Sequence, residues 1–129
     1  MSGNTPYEMI GKEAGVRALS IAFYEAMDEL EEAESVRKMH ADNLEIIQEK
    51  LFEYLNGWLG GPHLYKDKYG TICLTEPHQP YRIGETQRDQ WVICWQRALE
   101  KVAAPDEFRA MTEEPIFRMA NHLINTPEA

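Results

Sequence analysis

The chain has 129 residues, 22 of them acidic and 13 basic, giving a formal net charge of −9 and a pI near 4.9. At 43% hydrophobic and 27% charged it has the composition of one globular domain, which excludes a collagen-like, wholly disordered or membrane-embedded chain. No apolar run approaches the ~20 residues of a membrane span, and the acidity, without any Lys/Arg cluster, argues against nucleic acid as a partner.

In chain order, Thr5-Pro6-Tyr7-Glu8 reads as a helix start, with a capping hydroxyl, a proline in the first turn and a carboxylate three residues after the cap. Gly11 ends this short helix. From Lys12 to about Leu30, Val16, Leu19, Phe23, Met27 and Leu30 recur at three- and four-residue steps and define the buried stripe of an amphipathic helix. The acidic run from Glu29 to Glu34 reads as a solvated connection into a short helical turn at Ser35 to His40. Asp42 with Glu45 predicts a capping box for the clearest helix of the chain. There Leu44, Ile47, Leu51, Leu55 and Trp58 repeat at helical spacing until Gly60-Gly61-Pro62 stops them.

His63 to Gly84 shows no useful periodicity and reads as one long irregular insert, which in a compact domain is often functional. Glu85 to about Ala103 is helical again, with Trp91, Trp95, Ala98 and Val102 on one face. The last element runs from Asp106 to Asn125, with Phe108, Met111, Ile116, Met119 and Leu123 apolar. Pro115 is expected to kink or divide it, with Thr112 capping the second piece. The coarse reading is all-α.

Cys73 and Cys94 form neither a CxxC pair nor a disulfide-dense pattern, and the first residues lack the layout of a signal peptide, so the cytoplasm is the expected compartment. The chain carries no phosphate-cradling loop, HExxH, GxSxG or EF-hand, and the spacing of its histidines matches no structural zinc signature. His78, between Pro77 and Gln79-Pro80, reads either as a solvent-exposed loop histidine or as a ligand or proton carrier stiffened by flanking prolines. Spacing does not decide between them. Tyr24 and Trp91 read at this level as core aromatics, and His40 as a helix-terminal histidine favoured by the dipole.

Several weak features become recognisable together. They are Phe23-Tyr24, Met39-His40, Leu51-Phe52-Glu53-Tyr54-Leu55, Gly57-Trp58-Leu59-Gly60-Gly61-Pro62 with Tyr65, and His78-Gln79-Pro80-Tyr81-Arg82-Ile83 followed by Arg88-Asp89-Gln90-Trp91. With this set, from about Tyr7 to Pro127, the sequence resembles the group II truncated haemoglobins. The resemblance implies an all-α, truncated-globin two-over-two helical sandwich enclosing haem b, a single domain over 1–129 with flexible tails at 1–6 and 127–129.

It further implies that His78 is the proximal ligand to the haem iron and that Tyr24, His40 and Trp91 form a polar distal pocket. A phenol hydroxyl and an indole N–H suit a diatomic ligand that gains partial negative charge. Phe23, Ile47 and Leu51 match the distal wall, while Tyr54, Leu55, Trp58 and Ile83 match positions packed against the porphyrin. Lys50 and Tyr65 are candidates for the propionates, and Arg82 is placed with them by its proximity to His78. The chain departs from the family at Leu74-Thr75-Glu76-Pro77-His78, which lacks the usual basic residues before the proximal histidine. The implied ligand is O2, with NO, CO or sulfide as others, and the implied partner is an unidentified reductase, the globin being a monomer or weak dimer. Oxygen transport, redox or NO detoxification and peroxidase-like turnover are the candidate roles; a haem-free helical interaction module is the alternative.

Overall fold

A computed structural model describes residues 5–126. Of the expected tails, residues 1–4 and 127–129 lie outside the described residues, while Thr5 and Pro6 lie within and open the first helix. In α1 (Pro6–Ile10) the Thr5 hydroxyl accepts the Glu8 amide at 3.1 Å and the Glu8 carboxylate accepts the Thr5 amide at 2.9 Å, which is the expected capping box. Gly11, at φ 108°, ends α1 and turns the chain into α2 (Lys12–Glu29). A 3₁₀ turn (Glu31–Ala33) and α3 (Glu34–Lys38) follow, then α4 (Glu45–Trp58), α5 (Leu64–Tyr69), α6 (Thr75–His78), α7 (Glu85–Lys101) and α8 (Asp106–His122).

The fold is an all-α two-over-two sandwich: α2 pairs with α4 and α7 with α8, and the two pairs meet where α2 lies on α7. The α2 stripe read from the sequence is the centre of the core, with Val16, Leu19 and Phe23 fully buried and Met27 nearly so. Large apolar side chains buried this way each contribute about 1.5–3 kcal/mol. Trp95 and Phe108 close the core from α7 and α8. Polar ties set the register around it. Arg17 pairs with Glu49 at 2.9 Å while its guanidinium lies 3.9 Å from the Phe52 ring centre, and Lys101 reaches back to Glu29 at 2.9 Å.

Four local expectations are corrected. The Asp42 capping box does not form, because α4 starts only at Glu45; the Asn43 side chain accepts the Glu45 amide at 2.8 Å instead. The segment from His63 to Gly84 is not one irregular insert but holds α5 and α6, six and four residues long, too short to leave a periodic pattern. Pro115 does not divide α8, and the buried Thr112 hydroxyl donates to the Phe108 carbonyl at 2.9 Å rather than capping a second piece. Met111, counted with the apolar face of that helix, is 44% exposed.

Two close approaches explain the glycines at the joints. A Cβ on Gly61 would lie 2.4 Å from the Tyr7 ring, so the absence of one lets α1 dock on the end of α4, where the Tyr7 amide donates to the Leu59 carbonyl at 2.8 Å. A Cβ on Gly15 would lie 1.8 Å from the Ile10 carbonyl oxygen, which as backbone cannot swing aside. Gly15→Ala should therefore lower stability by about 1–3 kcal/mol, the usual cost of overpacking, measured as the shift in urea midpoint at constant slope.

Candidate functional site

The site is built on α4, whose apolar residues occupy more than one face. Phe52 and Leu55 point into the core, whereas Ile47, Leu51, Tyr54 and Trp58, at helical spacing on another stripe, are only partly buried. Opposite that stripe the chain runs through residues 72–78. A cavity of about 270 Å³ lies between Tyr54 on one side, Ile72, Leu74 and Thr75 on another, and Met119 and Leu123 of α8.

His78 closes α6. Its Nδ1 lies 2.5 Å from the Leu74 carbonyl oxygen, and because a carbonyl only accepts, Nδ1 carries a proton, which in the neutral ring leaves the lone pair on Nε2. That arrangement, with the far nitrogen donating to backbone, is the one that prepares an imidazole to bind a metal. The backbone after His78 is held from the far end of the chain. The Asn125 amide group donates to the Tyr81 carbonyl at 2.8 Å and the His78 carbonyl at 3.3 Å, and its oxygen accepts the Ile83 amide at 2.9 Å.

The residues expected to be distal come together as one aromatic group. The Tyr24 and His40 rings lie 5.8 Å apart, and Phe23 bridges to both Tyr24 (5.0 Å) and Trp91 (4.9 Å). Tyr24 is 4% exposed, and burial, with a smaller contribution from Cys94, raises its hydroxyl well above the ordinary value, so it stays protonated and can donate. Burial likewise pushes the Cys94 thiol up to about 12, which leaves it inert at neutral pH.

His40 is bound like His78: its Nδ1 lies 2.8 Å from the Val36 carbonyl, so the neutral ring presents Nε2 as an acceptor. Burial lowers the His40 pKa despite that bond, and the charge of Arg37 lowers it further. Arg37 shapes the turn that carries His40, pairing with Asp28 at 2.6 Å and donating to the Ala41 and Asp42 carbonyls at 2.9 and 3.0 Å.

The remaining candidates are less concentrated. Leu55 and Ile83 are buried and Trp58 is partly so. Lys50 and Arg82 are exposed, the Lys50 ammonium lying 5.8 Å from the Tyr69 ring, and Tyr65 packs edge-on against Tyr54 at 5.4 Å. Sequence reasoning missed Arg37 and Asn125, which act on carbonyls and amides rather than on a ligand. Asn125 lay within a recognised segment, but its clamp joins residues 47 positions apart.

Chemically, the arrangement suits a flat apolar ligand with one coordinating atom position. The structure holds an imidazole tied through Nδ1 at His78, a buried phenol and an indole that share contacts with Phe23, and a half-buried apolar stripe on α4. These are the features that haem requires, so the residues present fit it.

Residues 5–125 match the bacterial-like globin family. The chain is 30% identical to the group 2 truncated haemoglobin YjbI of Bacillus subtilis over 128 residues, which cover 99% of this chain and 94% of that protein. Among solved structures, the group II 2-on-2 haemoglobin of Agrobacterium tumefaciens superposes with a TM-score of 0.92 at 38% identity, covering 99% of this chain and 98% of that one. The cold-adapted truncated haemoglobin of the Antarctic bacterium Pseudoalteromonas haloplanktis gives 0.91 at 36% identity over 95% and 99% of the two chains.

Replacing Asn125 by alanine removes four side-chain hydrogen bonds, three of them to the segment after His78 and worth about 0.5–1.5 kcal/mol each, so exchange of the Ile83 amide should accelerate at least about tenfold, read by NMR hydrogen exchange. Unchanged exchange would mean that the segment after His78 is held by something else.

Proposed function

The chain belongs to the bacterial-like globin family, in its group II truncated branch, and on that premise we propose that it binds dioxygen between His78 and a Tyr24/Trp91 donor pair. Its cofactor is haem, as in the family. When bound, haem supplies an iron whose open position takes O2, and also NO, CO or sulfide.

The observation that carries the reading is the His78 ring, tautomerically fixed by the Leu74 carbonyl with Nε2 free. Its role is to bind the iron from one side and, through that second bond, to keep the ring from rotating. On the opposite side Tyr24 donates through a hydroxyl that burial keeps protonated, and Trp91 donates through an indole nitrogen that cannot accept. His40 has a different part from these two. With its proton on Nδ1 it accepts at Nε2, so it orients a neighbouring hydroxyl or a water rather than donating to the ligand. Phe23, Ile47 and Leu51 keep bulk water from the donors, and Tyr54, Leu55, Trp58 and Ile83 pack against the porphyrin. Lys50, Tyr65 and Arg82 are the residues proposed for the propionates.

Two donors on one small ligand imply slow release, which suits redox chemistry, such as converting NO to nitrate with electrons from a reductase, better than bulk oxygen transport. A hydrogen bond to a charged group is worth about 1.5–3 kcal/mol, and a tenfold change is about 1.4 kcal/mol. Tyr24→Phe should therefore speed O2 dissociation by about 10- to 100-fold in stopped-flow displacement by CO, and an unaltered rate would remove Tyr24 from the ligand. In the absorption spectrum His78→Ala should lose the Soret and visible bands of the five-coordinate ferrous form; the same bands in the variant would place the iron on another residue.

A further inference from the structure

Three tyrosine rings run outward from the candidate site. Tyr54 borders the cavity beside the His78 segment, Tyr65 stands 5.4 Å from it at 81°, and Tyr69 lies 4.6 Å beyond. The row ends at the surface, where Tyr69 is 39% exposed and the ammonium groups of Lys50 and Lys68 lie 5.8 and 5.4 Å from its ring. A second observation points the same way. Glu53 is 8% exposed; one oxygen pairs with Lys68 at 3.2 Å, and the other, Oε1, is buried with no hydrogen-bond partner among the described residues. Glu53, Tyr54 and Tyr65 line one small cavity of about 80 Å³, so a carboxylate oxygen lacking a donor sits beside the middle of the row.

We propose that Tyr54, Tyr65 and Tyr69 form a relay carrying oxidising equivalents from the haem edge to the surface, with Tyr69 as the site of one-electron oxidation. This rests on haem occupying the site described above. The oxidant would be a hydroperoxide, and bound haem would supply the chemistry of its reduction. Each ring that loses an electron must also shed its phenolic proton: Glu53 Oε1, in the cavity that Tyr54 and Tyr65 also line, takes it from whichever of the two is oxidised and returns it when an electron from the next ring restores that phenol, while Tyr69 sheds its proton to solvent. Burial raises the Tyr65 pKa, with Tyr69, Glu53 and Cys73 adding to it, so the proton returns readily.

At Tyr69 the process meets solvent. With no other reductant present, two chains each lose one electron and one proton from Tyr69, and a carbon–carbon bond forms between ring positions ortho to the two oxygens. The peroxide O–O bond breaks and takes up the two electrons and two protons, leaving an alcohol and water. Among the described residues only Tyr69 and Tyr81 are exposed tyrosines, and Tyr81 stands outside the row, which makes it an internal control.

The test treats the haem-loaded protein with hydrogen peroxide, follows dityrosine fluorescence and covalent dimer on reducing gels, and maps the linked peptides by mass spectrometry. The expected product is a Tyr69–Tyr69 link, lost in Tyr69→Phe and retained in Tyr81→Phe, with the Soret band unchanged in both. Tyr65→Phe should also lose the link although Tyr69 remains, which a merely exposed phenol would not do. Cross-links through Tyr81, oxidation confined to Cys73, or full cross-linking in Tyr65→Phe would overturn the relay while leaving the haem reading intact. A protein with no Soret band after haem addition would overturn both.

Discussion

The constraint on which the domain depends is that α4 is apolar on more than one face while the protein covers only part of it. Phe52 and Leu55 are spent on the core; Ile47, Leu51, Tyr54 and Trp58 are left half-covered. At about 25 cal/mol per Å² of apolar surface, such a stripe is a poor thing to leave in water. It calls for a flat apolar partner, and no helix among the described residues covers it. The cofactor of the family completes the core, and the neighbouring elements serve to keep room for it. Contact between α2 and α7 fixes the far wall through Phe23 and Trp91, and α5 and α6 bring the chain back across the opening.

The long helices were legible in the sequence because burial against a single core imposes a helical period, as at Val16, Leu19, Phe23 and Met27. The same rule was blind to α5 and α6. Six- and four-residue helices offer one turn or little more, and none of their residues is buried. The Asp42 box failed for a related reason: spacing identifies a possible cap, but the register of the first turn depends on Arg37 holding the Ala41 and Asp42 carbonyls. Met111 and Thr112 show the converse. Their periodicity placed them in a helix, yet which of two adjacent positions faces inward is set by packing, and it is Thr112 that is buried.

The candidate site was legible only by resemblance. From chemistry alone His78 had two readings, and what separates them is a carbonyl four residues back that no spacing rule singles out. His40 uses the same i−4 geometry with Val36. In both cases the ring bonds a carbonyl one helical turn back, Leu74 at the start of α6 and Val36 in α3, so each short helix orients the histidine at its own C-terminal end. The missing basic residues before His78 are thus offset in one respect: orientation of the ring needs none of them.

The Asn125 clamp has a consequence for the order of events in synthesis. His78 and Asn125 are 47 residues apart, so at roughly 5–20 residues per second the histidine leaves the ribosome about 2–9 s before its clamp exists. During that interval α2, α4 and most of α7 can already fold around the opening, with the ligand segment attached only by its own short helix. A segment still loose at its far end would offer haem an easier way in than one already fastened at both ends. On the proposed reading of the site, cofactor entry would be easiest in that interval, which ends when the turn beyond α8 brings Asn125 into place.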